Sequence, residues 1–431
     1  MSNTLWPQLK HHPTQAAYWR SQHRFNYLPC GRQSGKSELA YRKLVRHLPV
    51  PKPWSDPRYF LGYPTYRQAK KVGWQRMLNL IPSCWVGQNG ISNSDLSIKT
   101  IFGSELFLVG LDKPHRIEGL IIDGGVIDEN SDIRPGTFDL SILPTLIWRD
   151  GWTDFIGVPK RFGVGAEEYR TRCEKAKAGE LPDSEVFSWA SEGIVPTDYL
   201  ELCRKTMDER DYEEQFNASW LSASGGIFHA FDREFNVRPS VYDPSLPLIV
   251  SSDFNVDPMA WIIAQEHGDV TNIIDELWMR NTNTPAAIAE LLKRYGTHKA
   301  GFRMYGDASG KNRHTSASQS DFVHIASDPV LKGLGRTMHY TMSNPAVADR
   351  FAACNARICN GAGTRNLFVD PSCTHLVSDL ETRSYKLGGR EVDDLGDQGH
   401  ITDALGYYIH SRFPLQLVIP NSNVVTISTG V

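Results

Sequence analysis

Cys30-Gly31-Arg32-Gln33-Ser34-Gly35-Lys36-Ser37 is the stretch on which the reading of this chain turns, because it lies between a short apolar run and a helical pattern. The run Arg24 to Leu28 has strand character, Pro29 and Gly31 end it, and Lys36 to His47 carries helix formers with Leu39, Leu44 and Val45 as apolar residues. A loop that cradles phosphate needs small residues. Successive backbone N–H groups can then converge on anionic oxygens, and the helix N-terminus adds its positive end. Gly31, Ser34 and Gly35 supply such a loop, with Arg32 and Gln33 inside it; Lys36 would reach the β/γ phosphates and the Ser37 hydroxyl would hold Mg2+. The usual pattern opens on glycine, and Cys30 stands at that position, beside Gly31. The alternative is a helix-capping loop that merely contains Gly-Lys-Ser.

A chain of 431 residues is too long for one ordinary core and suggests two or three domains. With 40% apolar and 22% charged residues it has a globular composition. The net charge of −3 does not exclude nucleic acid, since basic surface can be confined to one channel. Seven cysteines without a Cys-x-x-Cys pair suggest reduced thiols rather than a disulfide framework or a zinc site. No apolar run approaches the roughly 18 residues of a membrane span, and the N-terminus lacks a signal-peptide core, so an intracellular location is expected.

Ahead of the loop, Pro13-Thr14-Gln15 could start a helix whose first turn faces a nucleotide; the Gln15 amide offers both a donor and an acceptor to an adenine edge, or is simply a solvated first-turn residue. Tyr59 to Tyr63 reads as a strand and Tyr66 to Leu80 as a helix, while Ile98 to Ile101 and Glu105 to Val109 read as a hairpin. Gly125-Val126-Ile127 reads as a buried strand ending in Asp128 and Glu129. There Asp128 can hold a Mg2+ hydration shell and Glu129 can orient or deprotonate an attacking water. Asp154 to Lys160 is a further strand ending in the turn Gly157-Val158-Pro159. Alternation of short apolar runs and helices predicts an α/β domain with a mostly parallel sheet.

In this order the motifs resemble the large subunit of the terminase that packages DNA in tailed bacteriophages. Gln15, the loop Gly31-Arg32-Gln33-Ser34-Gly35-Lys36-Ser37, the pair Asp128-Glu129 and the turn Gly157-Val158-Pro159 match that family's adenine, Walker A, Walker B and coupling motifs. The family commonly carries Arg-Gln inside the loop and tolerates a non-glycine first position. Its coupling motif usually has Thr where Val158 stands. The resemblance implies that Arg32 supports developing charge. It also puts Arg116, in His115-Arg116-Ile117-Glu118-Gly119, near a basic residue that reaches a neighbouring subunit's nucleotide; a solvent-facing arginine is the plainer reading.

Between Ala166 and Phe235 the chain becomes charged and helical in pattern, with Ser222-Ala223-Ser224-Gly225-Gly226 as a flexible joint. Beyond it, Leu248 to Asp253 and Arg303 to Asp307 read as strands ending in carboxylates, with strands Met259 to Gln265 and Ile273 to Trp278 and a helix from Thr284 to Tyr295; a late helix begins at Gly399 and carries Asp403. Asp253, Asp307 and Asp403 suit a two-metal phosphodiesterase of ribonuclease H type, with Mg2+ or Mn2+ on hard oxygen ligands. Asp257 is a candidate fourth ligand or a turn residue before Pro258, and Glu276 a strand-end residue. Lys311 to Ser320 is a polar loop suited to phosphate contact, Asp393, Asp394 and Asp397 an exposed turn, and the chain after Leu415 a tail without clear fold.

The fold class expected is therefore α/β throughout: a P-loop ATPase of ASCE type over 1–195, a helical linker over 196–235 and a ribonuclease H-like endonuclease over 236–431. The resemblance implies ATP-driven translocation of double-stranded DNA into a procapsid, and cleavage of concatemeric genomes. It implies as partners the portal protein, a terminase small subunit and further copies of the chain in a ring, a pentamer. It places the protein in the host cytoplasm and at the portal vertex, outside the mature virion and away from membranes. Three rivals remain. A helicase or restriction-type ATPase would carry further helicase motifs after residue 250, and none is seen. The others are an ATPase with a non-cleaving ribonuclease H-like DNA-binding domain and a P-loop kinase of small molecules.

Overall fold

The computed structural model describes residues 12–221, 225–255, 257–311, 319–341, 343–386, 391–393 and 396–415. The chain divides into two compact units, one of Met1–Leu200 with Glu213–Ala223, the other of Glu201–Tyr212 with Ser224–Val431. The segment 196–235, expected as a linker, is thus shared between them; it holds helices Thr197–Thr206 and Glu209–Phe216. The proposed joint at 222–224, the loop at 312–318, Asp394 and the tail from 416 lie outside the described residues.

The first unit is organised on strands β1 (Phe25–Pro29), β2 (Arg58–Tyr63), β3 (Val86–Ser92), β4 (Ser97–Thr100), β5 (Glu105–Gly110), β6 (Gly124–Ile127), β7 (Trp152–Gly157) and β8 (Ser184–Val186), in the spatial order β3-β4-β5-β2-β6-β7-β1-β8. From β5 to β8 neighbours run parallel; β3 and β4 add an antiparallel edge. Alternate residues of each central strand enter two different cores. Leu28, Tyr59, Leu61, Val126 and Ile156 join one, and Tyr27, Phe60, Ile127 and Phe155 join the other. Such strands read as continuous apolar runs because both faces are covered by helices. Each fully buried Leu or Phe contributes roughly 1.5–3 kcal/mol, so these rows fix the sheet more firmly than local propensity does. β7 lies between the strand that feeds the loop and the strand that ends in Asp128. This is the ASCE arrangement.

Some boundaries differ from the sequence reading. The first helix ends at Val45, and Tyr66 to Leu80 is interrupted by a π-helical stretch, Ala69–Trp74. Strands β3 and β8 were not foreseen. β3 contains Gly87, Asn89 and Gly90 and β8 is three residues long, so neither shows a period and pairing alone makes them strands.

The second unit holds β9 (Leu248–Asp253), β10 (Met259–His267), β11 (Val270–Met279), β12 (Phe302–Gly306), β13 (Arg336–Met338) and β14 (Leu367–Val369) in the order β13-β12-β9-β10-β11-β14. β9, β10 and β11 are antiparallel, and β12 lies parallel to β9. Ala260, Ile262 and Ala264 face one core, with helices Val347–Ile358, Thr374–Thr382 and His400–Arg412; Met259, Trp261 and Ile263 face another, with helix Thr284–Tyr295. All seven cysteines are free thiols. Among the described residues no helix is long and apolar enough to cross a membrane.

Candidate functional site

The phosphate loop is fixed from behind. Cys30 N–H donates to Gly157 O at 3.0 Å, Gly31 N–H to Trp189 O at 3.0 Å and Arg32 N–H to Gln215 O at 2.6 Å, while Ser191 Oγ donates to Arg32 O at 2.6 Å. Only glycine fits at 31, because a Cβ there would stand 2.4 Å from Ser191 Oγ and 2.5 Å from Phe216 O. Gly35 takes φ of 82° and lets the chain turn into helix Lys36–Val45. Ser34 O accepts both Gln15 Nε2 and Trp189 Nε1 at 2.9 Å. The N–H groups of Gln33, Ser34, Gly35, Lys36 and Ser37 have no acceptor among the described residues. They form a nest of orphan donors at a helix N-terminus, the backbone arrangement that binds oxyanions.

Lys36 is buried over this nest, with Nζ 3.2 Å from Gly31 O. Burial pushes its ammonium below the usual lysine range, and the Asp128 and Glu129 carboxylates oppose that shift. Burial and the Glu129 charge raise the Asp128 carboxyl, against a hydrogen bond from Tyr41 and the Lys36 charge. Tyr41 donates to Asp128 Oδ2, and its hydroxyl lies 2.5 Å from that of Tyr63. Glu129 takes a left-handed φ of 53°, rare for a non-glycine residue, and lies 3.5 Å from Lys160 Nζ. The turn after β7 touches both motifs: Gly157 O accepts the Cys30 amide, and Val158 O accepts Ser131 Oγ at 2.7 Å. Arg32 is exposed, its Nε donating to Gln215 Oε1 at 2.6 Å. Ser37 is half-buried, and Arg116 is exposed in the short turn Pro114–Arg116.

In the second unit Asp253 ends β9, Asp307 follows β12, and Asp403 lies in the first turn of helix His400–Arg412. The parallel pairing of β9 with β12, with Asp307 N–H on Ser252 O at 3.2 Å, brings the first two carboxylates to neighbouring strand ends. Ser251 Oγ donates to Ala404 O at 2.6 Å and docks the helix beside them. His400 Nδ1 lies 2.8 Å from Asp253 Oδ2. Burial raises the Asp253 carboxyl, His400 opposes it, and the charges of Asp403 and Asp307 add to it. Asn344 Nδ2 and Ser309 Oγ donate to Asp307 at 2.9 and 2.6 Å. Asp403 Oδ1 is paired with Arg350 Nη1 at 3.1 Å and Arg383 Nη1 at 3.0 Å, while its Oδ2 has no partner among the described residues.

A solved large terminase from a thermophilic bacteriophage superposes with a TM-score of 0.54 at 13% identity, covering 93% of this chain and 98% of that one. The fold is that of a phage large terminase. Large-subunit terminases of Thermus virus P23-45 and Thermus phage G20c are each 26% identical over 254 residues, covering 52% of this chain and 51% of theirs. The chain thus aligns with about half the length of these curated relatives. No family model matches.

Within this terminase fold the carboxylate cluster has donors that suit a hard cation. They are all oxygen, and Asp403 Oδ2 has no partner among the described residues. Among the described residues no three His, Cys, Asp or Glu side chains already stand together as ligands, so a bound ion would have to draw them in. Asp257 is exposed and pairs with Arg280 at 3.4 Å; none of its described contacts is with the other three. Glu276 serves a different end, accepting the His375 and Leu376 amides at 2.9 and 3.0 Å at the start of helix Thr374–Thr382. The sequence reading passed over Trp189, Ser191 and Gln215, which back the loop, Tyr41, which binds Asp128, and His400, Arg350 and Arg383, which hold the carboxylates. Only His400 carried a local signal, lying within the first turn of the helix that bears Asp403.

Proposed function

We propose that the chain is a DNA-packaging motor: an ATPase that moves double-stranded DNA and an endonuclease that cuts it. The observation that carries the first activity is the nest of orphan amides from Gln33 to Ser37 beneath Lys36, beside Asp128 and Glu129. Structures of the same thermophilic phage's terminase with ADP and with ATP-γ-S, each at a TM-score of 0.51, support a nucleotide as the anion. In this reading Lys36 and the loop amides bind the β/γ phosphates, Gln15 reads adenine by exchanging its bonds to Ser34 O and the His12 amide, and Arg32 supports developing charge once it leaves Gln215. Glu129 orients the attacking water, for which its half-exposed carboxylate is accessible. Ser37 and Asp128 would hold Mg2+, which neutralises phosphate charge when bound. The turn Gly157-Val158-Pro159 carries the state of the loop toward Ser131, through backbone contacts that need no hydroxyl at Val158.

Asp253, Asp307 and Asp403 would hold Mg2+ or Mn2+, which would activate water and stabilise the leaving oxygen. The domain limits 1–195, 196–235 and 236–431, the trans role of Arg116, the ring of copies, the portal and small-subunit partners and the host-cytoplasmic location all belong to this proposal. The test is plasmid cutting by the full chain in Mn2+ beside DNA-stimulated ATP hydrolysis. Both activities are expected. A chain that hydrolyses ATP and binds DNA without cutting it would favour the non-cleaving reading.

A further inference from the structure

From Pro57 to Ser94 the chain has no Asp or Glu, yet it carries Arg58, Arg67, Lys70, Lys71 and Arg76. In a protein whose net charge is −3 this is a local excess of positive charge. The segment Tyr66 to Leu80 buries Ala69, Gly73, Trp74 and Met77 and leaves Arg67, Lys70 and Lys71 exposed. Arg76 is engaged, paired with Glu38 at 3.3 Å and lying over the Tyr41 ring at 5.1 Å. The side chains of Arg67, Lys70 and Lys71 have no partner among the described residues.

Solvated lysines are common, but the backbone that carries these is not. From Ala69 to Trp74 it is π-helical, a rare form that is frequent at functional sites. Behind it stands the nucleotide site. Tyr63, the last residue of β2, presses on Gly73: a Cβ there would stand 2.6 Å from the Tyr63 ring and 2.7 Å from its hydroxyl. Tyr41 has one hydroxyl proton, which goes to Asp128 Oδ2, so the Tyr63 hydroxyl 2.5 Å away must donate to Tyr41. The π-helical turn, Tyr63, Tyr41 and Asp128 are thus in unbroken contact.

We propose, resting on the packaging reading above, that Arg67, Lys70 and Lys71 hold the phosphate backbone of duplex DNA, and that Gly73 and Tyr63 pass this contact through Tyr41 to Asp128. Exposed cations without acidic neighbours are the groups that displace counterions from a polyphosphate, and here they line the outer side of the turn whose inner side meets Tyr63. A load on that turn moves the donor that sets Tyr41, and Tyr41 in turn sets one oxygen of Asp128. ATP turnover then responds to DNA that never touches the nucleotide.

The test compares two charge-matched double variants of the full chain. One is Lys70→Gln with Lys71→Gln. The other is Lys175→Gln with Lys177→Gln, exposed on helix Ala166–Lys177, which packs on β8 at the far edge of the sheet. Binding of a short fluorescent duplex is followed against salt without divalent ions, and ATP turnover is measured with and without the same duplex. The first variant should flatten the slope of log Kd against log salt by about 2 and lose at least half of the stimulation by DNA; the second should match the parent. Tyr63→Phe keeps the ring against Gly73 and should lose at least half of the stimulation at saturating duplex, where weaker binding cannot account for the loss. Equal salt slopes for the two double variants would overturn the proposal, as would a Tyr63→Phe chain stimulated as strongly as the parent. If Tyr63→Phe fails to fold, the exposed lysines decide. A parent that binds duplex and is stimulated by it, with the Lys70 and Lys71 variant unaltered, sinks this proposal alone. A parent that binds no duplex, or whose ATP turnover ignores it, sinks the packaging reading itself.

Discussion

In the first unit five amides without an acceptor among the described residues and a buried lysine fall within eight consecutive residues, held from behind by Trp189, Ser191 and Gln215. In the second unit the charged groups are anions, they come from two strand ends and a distant helix, and arginines rather than backbone amides orient one of them. A site made of backbone N–H groups is formed as soon as the loop closes, because its dipoles are fixed by the chain itself. A site made of like charges resists its own assembly, and the arginine pairs on Asp403 offset part of that repulsion.

The largest expected effects separate the two sites. Lys36→Ala should lower ATP turnover on the order of 10²–10³-fold while sparing plasmid cutting in Mn2+, and Asp253→Ala should abolish cutting while sparing ATP turnover. If either variant loses both activities while still folded, the sites are not independent and the comparison breaks. Gly31→Ala tests how rigid the loop is: the new Cβ meets Ser191 Oγ and the Phe216 carbonyl, so a loss of about 1–3 kcal/mol is expected in denaturant unfolding, with ATP turnover reduced. Unchanged stability there would mean that the backing moves.

Trp189→Phe keeps an aromatic ring but removes the bond from Nε1 to Ser34 O and part of the buried indole; roughly 1–3 kcal/mol of stability should go, with a raised KM for ATP and unaltered cutting. At neutral pH the smallest effect belongs to His47, which touches neither site. Burial, helped by Arg46, Lys43 and Lys52, lowers its pKa to about 3 from an ordinary 6.5. The unfolded chain therefore takes up a proton that the folded chain refuses. The contribution is fully present above pH 6.5 and is lost as pH falls from there toward 3. His47→Gln should flatten that part of the Tm against pH curve relative to the parent; an identical slope would show that the folded imidazole titrates normally.

Legibility followed the same division. The octet from Cys30 to Ser37 could be read because its chemistry depends on neighbours in sequence: small residues for the turn, a lysine at the helix start, a strand before it. Asp128 and Glu129, and the strand ends at Asp253 and Asp307, were legible because a buried strand is a continuous apolar run and a carboxylate at its end stands out. The three-residue strands β8, β13 and β14 are too short to carry a period. Arg350 and Arg383 carry no local signal, since one lies inside helix Val347–Ile358 and the other at the end of helix Thr374–Thr382.

The sequence by itself determined the long apolar strands and their order, the loop with its lysine and hydroxyl, and which carboxylates end strands or begin a helix. These are properties of nearest neighbours along the chain. The tertiary structure alone decided that Trp189, Ser191 and Gln215 close the back of the loop, that Tyr41 binds Asp128, and that two buried guanidiniums meet at Asp403. Those partners are far apart in sequence, and only packing brings a donor to an acceptor across a sheet, where burial makes the pairing count.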